Sequence, residues 1–197
     1  MVTRKTAASR RSPPTNIYQL LVSLDEIEPK IWRRLWVPDT LTLAKLDHVI
    51  QAAMGWTNSH LHEFAIDGHR YGIVDPEWDQ EPDLLEDKRF RMADVLGTRA
   101  QDFLYTYDFG DSWVHSVKIE QVLAAREGIN MWPMCIAGAN ACPPEDVGGT
   151  YGYMEFLQAM RDPTHEEHEA MWRWWGGPFD PNGFDVNSAN MAIRQLK

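Results

Sequence analysis

Residues 17–56 read IYQLLVSLDEIEPKIWRRLWVPDTLTLAKLDHVIQAAMGW, and their changing periodicity decides the fold. Tyr18, Leu20, Val22 and Leu24 recur at period two. After a break around Glu26 to Pro29, Ile31, Arg33, Leu35 and Val37 alternate with Trp32, Arg34 and Trp36. Successive strand side chains point to opposite faces, so the two runs predict a β-hairpin with one face turned to a core. The period then lengthens. Leu46, Val49, Ile50 and Ala53 return at helical spacing, Thr42 is placed to cap the helix and Gly55 to end it.

Downstream, LHEFAIDGHRYGIV predicts a second hairpin turning at Asp67-Gly68, a pair suited to the positive φ of a tight turn. The acidic, proline-containing stretch over residues 75–89 shows no sustained period and reads as a surface excursion before a short helical turn in RMADVL. Residues 102–108 and 113–123 regain strand character, with DFGDS at the tip of a third hairpin where Gly110 is expected to take the strained backbone position. Helices are predicted over Tyr151 to Arg161, His165 to Trp175 and Asp185 to Leu196. The expected architecture is α+β: a β-grasp or roll-like mixed sheet of hairpins with a packed helix, followed by C-terminal helices. Residues 16–197 are read as one domain, helical from residue 150, behind a disordered basic tail over residues 1–15.

Charge narrows the function. The formal total is −10, but residues 1–15 hold four bases and no acid, which leaves 15 bases and 29 acids, a net −14, in the rest. Phosphate contacts supply most non-specific affinity for nucleic acids, so this body disfavours direct nucleic-acid binding. No apolar run reaches the ~18 residues of a membrane span, and no secretory leader is evident, so a cytoplasmic protein is expected. Cys135 and Cys142 are too few for a disulfide scaffold and read as thiols.

Three clusters carry candidate chemistry. In YTYDFGDSWVH, residues 105–115, Asp108, Asp111 and His115 pair carboxylates with an imidazole, which suits a divalent metal or acid/base catalysis; turn capping and a core histidine are the alternative. The letters DFG have no accompanying kinase motifs. In CIAGANACPPEDVGG, residues 135–149, a rigid loop presents Glu145 and Asp146, which nothing local neutralises. Its two thiols are spaced more widely than zinc ligands prefer, making Cys135 and Cys142 weak metal candidates. His60 and His62 share a face if extended, and either ring could reach the Asp108 loop; His62 is the metal candidate of the pair. HEEHE at 165–169 lacks the i, i+4 histidines of a zinc-protease helix. The tryptophans of MWRWWGGPF either pack their helix on the sheet or form a partner surface.

Four blocks, PKIWRRLWVPDTLTLAKLDHVIQAAMGWTNSHLHEF, YTYDFGDSWVH, ACPPEDVGGTYGY and WWGGPFDPNGFD, together resemble the plasmid pRi ORF-three-like family over about residues 16–196. Its members are small bacterial proteins of plasmids, transposons and chromosomes, often labelled transposon passengers or TnpR resolvases. The resemblance implies an α+β roll and no established activity. The resolvase label conflicts with the chemistry: Ser112 has no neighbouring arginine to stabilise a pentavalent phosphate, and no basic helix-turn-helix is visible. The reading carried forward is a non-enzymatic interaction or accessory module of a mobile element, with the Trp-rich C-terminal surface as its protein-partner face. The alternative is a metal-dependent hydrolase or lyase using Asp108, Asp111 and His115, with His62, Glu145 and Asp146 as further candidates. No cofactor is required by the sequence; a divalent metal is the one it could use.

Overall fold

The computed structural model describes residues 15–74, 83–96, 102–125 and 132–196. The opening stretch folds as its periodicity predicts: β1 (Asn16–Leu24) pairs antiparallel with β2 (Trp32–Pro38), Leu20 opposite Leu35. Helix α1 (Leu43–Met54) follows, its first turn capped by the Thr42 side chain and its end by Gly55. Next come β3 (His62–Ile66) and β4 (His69–Gly72), turning through Asp67 at φ 49° and Gly68 at φ 76°. The third hairpin is β6 (Phe103–Tyr107) with β7 (Trp113–Ala124), preceded by the short strand β5 (Leu84–Glu86) and α2 (Met92–Leu96). Strand β8 (Met134–Ala139) and helices α3 (Gly149–Arg161), α4 (His168–Trp175) and α5 (Val186–Gln195) complete the chain.

All eight strands join one sheet in the order β5-β4-β3-β6-β7-β1-β2-β8, antiparallel except for the β4/β5 pair. The third hairpin in sequence therefore sits between the other two. One face is apolar and lies under α1: Leu20, Val22, Leu35, Phe64, Tyr105, Tyr107, Trp113 and Val117 are fully buried with Leu43, Leu46, Val49 and Ile50 of the helix. The opposite face meets water, and there Arg34 grips Glu120 with two hydrogen bonds of 2.6 and 2.8 Å while Gln19 links Glu120 to Trp36. One covered and one solvated face is what antiparallel alternation builds. The fold is α+β, with α5 packed on α1 and β8.

Four local expectations are corrected. Residues 84–86, within the expected excursion, form β5, because they pair with the outer side of β4 and Asp87 finds a buried partner in His62; residues 75–82 lie outside the described set. Residues 134–139, the start of the expected loop, form β8: a bulge near Leu35 lets this non-alternating run complete the β2 edge. At the third hairpin tip the left-handed residues are Asp108 and Ser112, both at φ 56°, not Gly110. Asp108 tolerates this because its Oδ1 accepts from the backbone N–H groups of Gly110 and Asp111, an Asx-type turn. The tail expected over 1–15 ends at a tether, since Thr15 and Asn16 both donate backbone N–H groups to the Asp39 carboxylate; residues 1–14 lie outside the described set.

Candidate functional site

Beyond α1 the chain runs across the end of the central strands, and Trp56 and Thr57 anchor it there. Trp56 stacks on Tyr107 at 4.8 Å and donates its indole N–H to the Pro143 carbonyl. Thr57 donates both its backbone N–H and its hydroxyl to Glu145 Oε1, and the Tyr107 hydroxyl donates to the same oxygen at 3.0 Å. Asp111 accepts the Gly148 N–H at 3.1 Å, fastening the hairpin tip to the start of α3. The Asp108–Asp111 tip and the 140–148 loop thus meet at one end of the sheet.

His60 stands at this junction. Its Nε2 lies 3.0 Å from Asp146 Oδ1, 3.5 Å from Asp108 Oδ2 and 4.0 Å from Glu145 Oε2. Among the described residues, His60, Asp108 and Asp146 are the one trio of histidine, cysteine or acidic side chains whose ligand atoms all lie within 4.8 Å of one another. Pairing of β3 with β6 explains the encounter: the register that sets His62 opposite Tyr107 continues to Leu61, whose carbonyl accepts the Asp108 N–H, and places His60 one residue further on, diagonal to Asp108 at the strand ends.

The other sequence candidates go elsewhere. His115 is fully buried, its Nδ1–H donating to the Tyr105 carbonyl and its ring edge-on to Trp56. Desolvation of the charged form lowers its pKa from 6.5 to about 4. Asp111 is committed to the start of α3. Burial raises the pKa of both Cys135 and Cys142, only partly opposed by the Arg33 guanidinium, so both stay thiols rather than thiolate ligands. His62 sits under the sheet between two buried acids, Asp87 Oδ2 at 2.8 Å from Nε2 and Asp47 Oδ1 at 3.3 Å from Nδ1. Asp47 also accepts the Tyr105 hydroxyl at 2.6 Å and the Gln51 amide at 2.8 Å. Sequence reasoning missed this array. Its signal was there in Asp47 and Gln51, spaced i, i+4 beside Leu43, Leu46 and Ile50, a polar pair on the buried side of α1.

His115 makes a pH test of the core. Its unfolded-state pKa, near 6.5, lies above the folded value of about 4, so below pH 6.5 the unfolded chain takes up a proton that the folded chain refuses. Stability from this group is complete above pH 6.5 and is lost as pH falls toward 4; at pH 5 the loss is about 2 kcal/mol. His115→Asn keeps a donor for the Tyr105 carbonyl but does not titrate. Urea unfolding of the variant should be flatter between pH 7 and pH 5 by that amount, and an unchanged slope would exclude His115 as the source.

Beside the His60 junction opens a cleft of about 680 Å³ between the end of α1, the 141–146 loop and the α4–α5 region. Glu145, Asp146 and Asp185 contribute acids to its lining, and Trp174, Trp175 and Phe184 contribute rings. The tryptophans do not pack α4 onto the sheet, the first of the two roles expected for them. No α4 residue is fully buried; Trp174 and Trp175 meet Phe156 of α3 edge-on at 5.8 and 6.4 Å and remain 49% and 43% exposed. His168 ties α4 to α3 through the Ala159 carbonyl at 2.7 Å. No helix of the described residues is long and apolar enough to cross a membrane.

Comparison with known proteins identifies relatives without an assigned activity. The chain is 42% identical over 185 residues, 92% of each chain, to the uncharacterised protein y4hQ of Sinorhizobium fredii (strain NBRC 101917 / NGR234). It is 38% identical to the protein of unknown function MM3350 from Methanosarcina mazei Go1, whose crystal structure matches with a TM-score of 0.78 over 88% of this chain and 97% of that one. Residues 16–188 match the family model described as Plasmid pRiA4b ORF-3-like protein, and the chain belongs to that family.

Proposed function

We propose that the protein is a non-enzymatic interaction module that captures a cationic segment of another protein in the cleft beside α4. The observation that carries this reading is the pairing, in one cleft, of exposed tryptophan faces with an acidic rim. Trp174 and Trp175 offer ring surface for arginine or lysine stems, and Glu145, Asp146 and Asp185 offer countercharge. The body's net −14 draws cationic partners and repels acidic ones before contact.

Titration of the full chain, in buffer containing a strong chelator, with a short peptide of alternating arginine and proline should give a saturable change in tryptophan fluorescence. A glutamate counterpart should give none. Joint replacement of Trp174 and Trp175 by alanine should weaken binding roughly tenfold or more, because stacking on both rings is lost. Trp132→Ala, at a 70% exposed tryptophan outside the cleft lining, should leave it unchanged. Equal response to both peptides, or to neither, would sink the reading.

A further inference from the structure

We infer that His60, Asp108 and Asp146, with Glu145 alongside, form a binding site for a divalent first-row transition cation. The donor atoms have the spacing that such an ion needs. Bonds of about 2.0–2.2 Å at tetrahedral or octahedral angles place adjacent ligand atoms roughly 2.9–3.5 Å apart, and His60 Nε2 stands 3.0 and 3.5 Å from the Asp146 and Asp108 oxygens. Despite these distances Nε2, a buried atom, is aligned for a hydrogen bond with none of its neighbours. The ring nitrogen addresses the group as a whole rather than one member.

The carboxylates are held as ligands are held. Asp108, with a side chain only 7% exposed, spends Oδ1 on the Gly110 and Asp111 N–H groups and turns Oδ2 to the junction. Glu145 spends Oε1 on Thr57, is steadied by the Tyr107 hydroxyl at 3.0 Å from Oε1 and 3.2 Å from Oε2, and sets Oε2 4.0 Å from His60 Nε2. Fixing one oxygen by outer hydrogen bonds orients the other, which is how metal sites support their ligands. Asp146 is 70% exposed and free to adjust. Three acids against one imidazole also leave an excess of negative charge that a dication offsets. An imidazole among the donors favours zinc-like ions over magnesium or calcium, which prefer oxygen and retained water. The buried Asp47–His62–Asp87 array offers no such centre, because its imidazole presents a different nitrogen to each acid.

The test is competition of the chelator-stripped full chain against a chromophoric zinc indicator, repeated with Mg²⁺. One equivalent of Zn²⁺ should bind, Mg²⁺ should not compete, and His60→Gln and Asp146→Asn should each weaken zinc binding roughly tenfold or more. Asp146 is exposed, so its variant tests the site without burdening the fold. His165→Gln, on the α3–α4 connection, should change nothing. Absence of saturable zinc binding in the parent protein would overturn the site, as would binding that survives both His60→Gln and Asp146→Asn. Peptide capture is measured in chelator, so the cleft and the metal site stand or fall separately.

Discussion

Replacing His62 by leucine is expected to lower the unfolding free energy by about 3–5 kcal/mol, the range for removing one partner from a buried charged group. His62 is 4% exposed and lies between Asp47, fully buried, and Asp87, 3% exposed. Leucine fills similar space, so the loss comes from two buried acids deprived of the ring nitrogens beside them rather than from a cavity. Asp47 retains the Tyr105 hydroxyl and the Gln51 amide, but Asp47 Oδ2 already lacks a hydrogen-bond partner and Asp87 loses its 2.8 Å contact. His62→Gln restores one amide donor and should recover part of the loss. Urea unfolding followed by circular dichroism measures both variants. A loss below about 1 kcal/mol for His62→Leu would mean that solvent or rearrangement already satisfies these acids.

Gly152→Ala is expected to destabilise the protein by about 3 kcal/mol or more, against the sign that helix propensity predicts. Glycine inside a helix is normally worse than alanine by up to ~1 kcal/mol. At position 152, however, an added Cβ would overlap the Val147 carbonyl oxygen and lie 2.9 Å from its carbon. Backbone cannot swing aside as a side-chain tip can, so the first turn of α3 and the 145–147 loop must separate. Gly149 reinforces the constraint, since a Cβ there would press on the Asp111 carbonyl at 2.8 Å. Thermal or urea unfolding decides the sign. A stabilised Gly152→Ala would show that the loop relaxes freely, and Glu145 and Asp146 would then be less firmly placed than their contacts imply.

The legible parts of the sequence are those governed by neighbours in the chain. Alternation from Tyr18 to Leu24 and from Ile31 to Val37, the Thr42 and Gly55 caps, and the Asp67-Gly68 turn all report local sterics and burial, and each appears where its pattern places it. The 134–139 strand was illegible because CIAGA has no period of two and owes its conformation to the β2 edge. The tip of the third hairpin was half legible. The turn was evident, but the left-handed φ fell to Asp108 because its own side chain, rather than a missing one, relieves the turn.

The site divides the same way. Sequence alone singled out Asp108 at the tip of the third hairpin, and Glu145 and Asp146 as acids without local neutralisation. It also raised His60 and His62 together as rings that could approach the Asp108 loop. It took His62 as the metal candidate, whereas the sheet order brings His60 to that loop. Insertion of the β6–β7 hairpin beside β3 puts His60 at the strand ends with Asp108 and sends His62 beneath the sheet to Asp47 and Asp87. Side-chain direction along a strand follows from local geometry, whereas strand neighbours follow from pairing between segments some forty residues apart. Only the folded sheet brings those segments together.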